Sequence, residues 1–339
     1  MRPGQVVGVD VTYRCRCDCL FCFYRGSDKV RKPEDVPLQE VTDKIDTAKR
    51  GGLTAVAMVG YGEPSIAETV HDILNYAHGQ RMSTSMITTG VTGLHRFKTF
   101  YRMGMDHILL SAHGLDGTMD EVLKHKGAFK KQAELMDWLR SEQLPFRTNT
   151  VLIQQTYREL PEIADYLIER GTWHFVFLGF LPHYKLPEYL PELAVDPREL
   201  RPYIEDAAER LLEAGVYFSI RYHPFCCLAP KYWPYVTNAR YVFFDNREWN
   251  YPLQVHNVEQ LWKDAVACGE SVAVQGEPCS SCVARRHCGG WNRTMAANFP
   301  GCVQAIREIP EQYQEVWDRD GGMFDLNPVN ALGPAIRGN

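Results

Sequence analysis

No stretch of this 339-residue chain is apolar for long. Its longest apolar runs, Leu53 to Gly60 and Phe175 to Leu181, fall far short of the roughly 20 residues that a membrane span requires. The opening segment MRPGQVVGVDV has no apolar core of the kind a secretory signal carries. Basic stripes are missing too. Lysine and arginine come in short pieces such as Lys124–Lys126 and Arg285–Arg286, and the net charge is −5, so neither nucleic acid nor a membrane is an expected partner. The chain reads as cytoplasmic. Cysteine is absent between Cys22 and Cys226, which leaves all eleven cysteines in two groups: 15, 17, 19 and 22, then 226, 227, 268, 279, 282, 288 and 302. In a reducing compartment, thiols spaced two to six residues apart point to metal ligands and not to a disulfide framework. One metal site near each end is the first inference.

The length admits one large domain or a large one plus a small one. Short β-branched or aromatic runs (Val6 to Val11, Ala55 to Val59, Ser83 to Ile87, His107 to Ser111, Phe146 to Val151, Phe175 to Phe180) alternate with helix-patterned stretches near 39–50, 66–79, 93–103, 117–141, 157–170 and 197–214. Six such alternations predict an α/β fold, a parallel sheet or open barrel, with chemistry at the C-terminal ends of the strands. The loop from Cys15 to Cys22 leaves the first strand at that mouth.

Cys15-x3-Cys19-x2-Cys22, with Phe21 before the last cysteine, resembles the signature loop of the radical S-adenosylmethionine (radical SAM) enzymes. The resemblance implies a partial (β/α)6 barrel in which these three thiolates hold a [4Fe–4S] cluster and the fourth iron is left for S-adenosylmethionine. Cys17 would then be a passenger turned away from the cluster. A zinc knuckle is the competing reading and needs a fourth ligand nearby. The later turns follow the same family in order. Gly60-Tyr61-Gly62-Glu63-Pro64 is similar to its GGEP stretch, with Tyr61 in place of a glycine. Thr88-Thr89-Gly90 stands where T-N-G is common. Ser111-Ala112-His113-Gly114 takes the place of S-L-D-G, and His125-Lys126-Gly127 follows with lysine for arginine. Gly62, Glu63, Pro64, Thr89 and Ser111 are the cofactor-binding residues that the resemblance implies.

Cys279-x2-Cys282-x5-Cys288, followed by Gly289-Gly290, is similar to the SPASM extension, which holds auxiliary iron–sulfur clusters in a subset of this family. Asn292 stands at the fourth place of the run, and residues 245–251 lack the second upstream cysteine. One auxiliary [4Fe–4S] cluster is therefore expected, on Cys279, Cys282, Cys288 and Cys302, and full thiolate ligation would bar substrate from it. A tetrahedral zinc site suits the same spacing. Three roles stay open for Cys226 and Cys227: hydrogen donor to a substrate radical, buried apolar filler, or ligand in place of Cys302. Cys268 reads as core.

These readings divide the chain into a barrel over 1–220, a small Cys-rich auxiliary-cluster domain over 221–310 and a tail over 311–339. A flavodoxin- or ferredoxin-type reductant is implied. Arg221, Tyr222, His223, Trp233, Tyr235 and Arg240 suit a hydroxyl-rich or peptide ligand, and equally an interdomain packing surface. The residues ahead of Cys15 leave no room for the leader-binding module of peptide-modifying members, which inclines the expectation to a small molecule. The expected outcome is epimerisation of a carbohydrate-type intermediate with Cys226 or Cys227 as hydrogen donor. Its alternatives are a dehydrogenase or peptide maturase that uses the auxiliary cluster as electron acceptor and, outside catalysis, a two-cluster electron carrier or zinc-stabilised binding protein.

Overall fold

The computed structural model of the chain describes residues 6–22, 24, 33–182, 190–237, 249–250, 273–319 and 326. Strands β1 (Val6–Asp10), β2 (Ala55–Val59), β3 (Ser83–Thr88), β4 (His107–Ser111), β5 (Phe146–Leu152) and β6 (His174–Gly179) fall on the six expected positions. Two further strands, β7 (Tyr217–Arg221) and the short β8 (Val236–Thr237), carry the sheet past residue 220, and β9 (Trp249–Asn250) adds to its other edge. All pair in parallel in the order β8-β7-β6-β5-β4-β3-β2-β1-β9. The two edge strands do not pair with each other, so the barrel is partial.

Between the strands run α1 (Leu38–Arg50), α2 (Val70–Gly79), α3 (Leu94–Arg102), α4 (Asp116–Leu123), α5 (Ala128–Ser141), α6 (Leu160–Glu169), the single turn α7 (Leu190–Leu193) and α8 (Pro197–Glu213). Their apolar stripes explain where they dock. Leu200, Ile204, Ala207, Ala208 and Leu211 of α8 recur at helical spacing and are buried against the sheet core. Each large side chain so buried contributes about 1.5–3 kcal/mol relative to exposure. The single helix expected over 117–141 is instead two. Lys124 takes a left-handed conformation (φ 50°), and the Asp120 carboxylate accepts the N–H groups of Gly127 (2.5 Å) and Phe129 (3.0 Å), starting α5 afresh.

The strands alternate faces. Val7, Val9, Val56, Met58, Ile108, Leu110, Phe175, Phe177, Phe218 and Ile220 pack in the core shared with the helices. The intervening residues face the barrel lumen. On β1 to β3 that inner wall holds an apolar group, Val6, Ala55, Ala57 and Val59 packed together beside Ile87, with Asp10, Ser83 and Ser85 on the same face. On β4 to β8 it is polar: His107, Arg147, Asn149, His174, Ser219, Arg221 and Thr237, all buried.

After the barrel, β10 (Ala273–Val274) and β11 (Trp291–Asn292) form a two-stranded antiparallel ribbon, followed by α9 (Arg293–Asn298) and the turn α10 (Gln314–Trp317). Asn292, at the position where the SPASM pattern has cysteine, caps α9 by accepting the N–H groups of Thr294 and Met295. Trp233 and Tyr235 belong to packing and not to a ligand surface. Trp233 is buried against Phe225 and Trp317, and Tyr235 stacks on Phe218 at 4.1 Å. Cys268 and Arg240 lie outside the described residues. Among the described residues no helix is long and apolar enough to cross a membrane.

Candidate functional site

The loop carrying the first cysteines is held from three sides. Asp18 N–H and Leu20 N–H donate to the carbonyls of Leu123 and Val122 at the end of α4, and His125 Nδ1 lies 3.2 Å from the Arg16 carbonyl. On the opposite side Glu63 N–H donates to the Arg14 carbonyl at 2.8 Å. Gly62 makes that contact possible: a Cβ there would fall 2.1 Å from the same carbonyl oxygen. Arg14 is itself fixed by a two-pronged ion pair with Asp35 (2.9 and 2.8 Å). The third side is the C-terminal region, where Leu20 and Phe21 pack against a cluster that includes Trp291, Met295 and Cys302.

Within this frame Cys15, Cys19 and Cys22 are half-buried, whereas Cys17 is buried beside Val91, Met119 and Leu123, its sulfur 4.0 Å from Thr89 Oγ1. Cys22 N–H donates to the Cys19 carbonyl, closing a turn that keeps both thiols on one short loop. Three accessible soft donors on a tightly held loop fit a cluster that requires three protein ligands.

Glu63 is nearly inaccessible (2% exposed), and its carboxylate is fully occupied. It accepts Ser65 N–H (3.2 Å), Ser65 Oγ–H (2.6 Å), the Thr88 hydroxyl, and both N–H (2.8 Å) and Oγ–H (2.7 Å) of Thr89. The geometry makes Glu63 and Thr89 a clasp between the turns after β2 and β3. Pro64 opens the short helical turn behind them. Ser111 ends β4, and Gln132 Nε2 donates to both its carbonyl (3.1 Å) and that of Thr89 (2.9 Å). Sequence reasoning missed Gln132, Ser65 and Thr88. A glutamine on the otherwise apolar inner stripe of α5 was the available signal. Tyr61, which stands for a glycine, is accommodated by the rings of Tyr24 (4.2 Å) and Tyr13 (5.7 Å). His113 is buried, accepts Val151 N–H at Nδ1 (3.1 Å) and meets Phe21 edge-on at 4.4 Å; burial lowers its pKa to about 3.

At the other end, one cavity is lined by Cys226, Cys279, Cys282 and Cys288, with Phe225, Gly290 and Ile306 among its other walls. The backbone comes close here as well, since a Cβ on Gly290 (φ 85°) would fall 2.1 Å from the Val274 carbonyl oxygen. Cys302 is not on this wall. Its sulfur lies 3.2 Å from Asp196 Oδ1 in the apolar cluster over the barrel mouth, and its carbonyl receives the Cys227 thiol at 3.7 Å. The Cys227 thiol also bonds to Cys226, which lowers the Cys226 pKa and raises that of Cys227. Of the two, Cys226 is thus the readier thiolate. Among the described residues no three His, Cys, Asp or Glu side chains converge on a single-ion position; the four thiols are arrayed around a space.

Known proteins resemble this chain in sequence over part of its length and in fold. The curated relatives include a probable GTP 3′,8-cyclase of Halobacterium salinarum, 26% identical over 216 residues (62% of this chain, 59% of that protein). A PqqA peptide cyclase of Bradyrhizobium diazoefficiens is 25% identical over 163 residues (48% and 42%). The alignments thus span under two thirds of those relatives' own length. Among solved structures, Streptococcus suis SuiB bound to the precursor peptide SuiA superposes with a TM-score of 0.62 at 15% identity, covering 90% of this chain and 75% of that one. The structure of anSMEcpe with bound AdoMet gives 0.57 at 16% identity, covering 98% and 96%. Residues 9–167, which contain the three-cysteine loop, the Glu63–Thr89 clasp and Ser111, match the family described as the radical SAM superfamily.

Proposed function

We propose that this chain is a radical SAM oxidoreductase that removes hydrogen from a peptide or peptide-like substrate, with an auxiliary [4Fe–4S] cluster on Cys226, Cys279, Cys282 and Cys288. The observation that carries the reading is that these four thiols line one cavity while Cys302 stands apart. Four protein thiolates would fill such a site and leave no position for substrate, which suits an electron acceptor. The spread of the thiols around a space, with no shared point for one ion, favours a cluster over zinc.

Cys15, Cys19 and Cys22 would hold the first cluster. When bound, that cluster and S-adenosylmethionine together supply a carbon radical able to take hydrogen from an unactivated C–H bond. The residues around them keep the mouth in one shape. Glu63 and Thr89 clasp two turns, Gln132 ties the second to β4, and Phe21 and His113 exclude water beside the cysteine loop. A flavodoxin- or ferredoxin-type protein is the natural class of reductant.

Oxidation is preferred to epimerisation because Cys226 lines the same cavity as Cys279, Cys282 and Cys288, and the Cys227 thiol bonds to it and to the Cys302 carbonyl. A peptide is preferred to a carbohydrate because the relatives include a PqqA peptide cyclase and the neighbour SuiB is seen with a precursor peptide.

The test is turnover of the reconstituted chain with dithionite, S-adenosylmethionine and a pool of short peptides. Formation of 5′-deoxyadenosine with a peptide product lacking two hydrogens is the expected result. A product of unchanged mass that gains one solvent deuterium in D2O would restore the epimerase reading. Absence of 5′-deoxyadenosine would remove the enzymatic one.

A further inference from the structure

The lumen wall opposite the cysteine loop holds polar atoms without a hydrogen-bond partner among the described residues. Asn149, on the inner face of β5, is 8% exposed, and its Oδ1 has no hydrogen-bond partner among the described residues. Thr237 on β8 is 1% exposed, and its Oγ1 is in the same state. The strand register sets them on one wall. Asn149 stands opposite Val176, Val176 opposite Ser219, and two residues further along that face Arg221 stands opposite Thr237. Just beyond β7, buried His223 hydrogen bonds to the Cys227 backbone, and its Nε2 has no partner among the described residues.

Buried polar atoms are nearly always satisfied, because leaving one dry costs stability and returns nothing to the fold. Three on one wall, from the middle of β5, the end of β8 and the segment just after β7, call for a ligand at the side of the sheet where this class of fold places its chemistry. Their chemistry restricts it. Asn149 Oδ1 is an acceptor, His223 Nε2 is an acceptor when the ring is neutral and its other nitrogen is the donor, and Thr237 Oγ1 can both accept and donate.

We propose that Asn149, Thr237 and His223 form the substrate-recognition subsite, and that they take a group rich in hydrogen-bond donors, either hydroxyls or amide N–H. This deepens the proposed function and rests on it for the identity of the ligand as substrate. The cysteine loop, Gly62 to Pro64, Thr89 and Ser111 occupy the ends of β1 to β4, so a substrate seated on β5, β7 and β8 faces them across the mouth.

The test compares the reconstituted wild-type chain with an Asn149→Leu/Thr237→Val double variant, which keeps side-chain size and removes the unpaired atoms. Atoms reserved for a ligand weaken the ligand-free fold, so the variant should melt at a higher temperature than wild type. Two probes supply the donor groups from different sources: N-acetylserinamide for a peptide and glucosamine for a sugar. At least one should raise the wild-type melting temperature and leave the variant unmoved, and the more effective one names the source. The variant should also lose at least tenfold of the peptide-stimulated 5′-deoxyadenosine formation. A variant that melts at or below the wild-type temperature would show that water or protein already satisfies these atoms and would overturn the proposal, as would a wild type that neither probe stabilises. The melting comparisons need no turnover, so a chain that makes no 5′-deoxyadenosine would sink the proposed function and leave this subsite to be judged on its own.

Discussion

The carboxylate of Glu63 accepts both the backbone N–H and the hydroxyl of Thr89, at 2.8 and 2.7 Å, so the turns after β2 and β3 share one buried charge. Glu63→Gln is therefore not conservative. Its amide nitrogen must face donors whichever way it turns, from Ser65 and Thr88 on one side or Thr89 on the other. A loss of about 1–3 kcal/mol is expected, read as a lower urea midpoint, together with weaker S-adenosylmethionine binding by calorimetry. An unchanged midpoint would mean that the clasp is dispensable.

Gly62→Ala tests the contact between this turn and the cysteine loop. The added carbon would meet a backbone carbonyl, which cannot swing aside as a side chain would. The expected cost is about 1–3 kcal/mol, and reconstituted protein should lose iron from the first site only. Full iron content in the variant would show that the loop can retreat from Arg14 without harm.

Iron analysis decides the auxiliary ligands. The wild-type chain should take up about eight iron, Cys302→Ala the same, and Cys226→Ala about four. The reverse pattern would return Cys302 to the ligand set, and zinc in place of four iron would make the second site a structural metal centre.

The buried His113 imposes a pH dependence. Its folded pKa of about 3 lies below the unfolded value near 6.5, so between those limits the unfolded chain binds a proton that the folded chain refuses. Stability is fully present above about pH 6.5 and falls as pH drops, by up to about 1.4 kcal/mol per pH unit. His223, at about 4 for the same reason of burial, acts in the same direction. His113→Asn retains an acceptor for Val151 N–H and removes the titration. Its unfolding free energy should fall less steeply than that of wild type between pH 6 and 5.

The barrel was readable because its strands are short β-branched or aromatic runs between amphipathic helices, and both periods survive in the amino-acid order. The three-cysteine loop was readable because its ligands lie within eight residues. β7 was not expected: Tyr217–Arg221 is five residues long and comes almost directly after α8, with no loop to set it off. The break between α4 and α5 was hidden because a lysine, and not a glycine or proline, takes the left-handed position at 124. The Glu63–Thr89 clasp joins residues 26 apart, and the placement of Cys226 with Cys279 joins residues more than fifty apart. Spacing along the chain carries no record of such meetings, which depend on strand order and on how the C-terminal region folds back.

The packing of Leu20 and Phe21 against Trp291, Met295 and Cys302 has a bearing on the order of synthesis. The cysteine loop leaves the ribosome well before the residues that bury its flank. A nascent chain holds Cys15, Cys19 and Cys22 without that cover while the residues between are made, and the loop reaches its final packing only when residue 302 has emerged. Loading of iron into a settled first site is on this account an event that follows the emergence of Cys302.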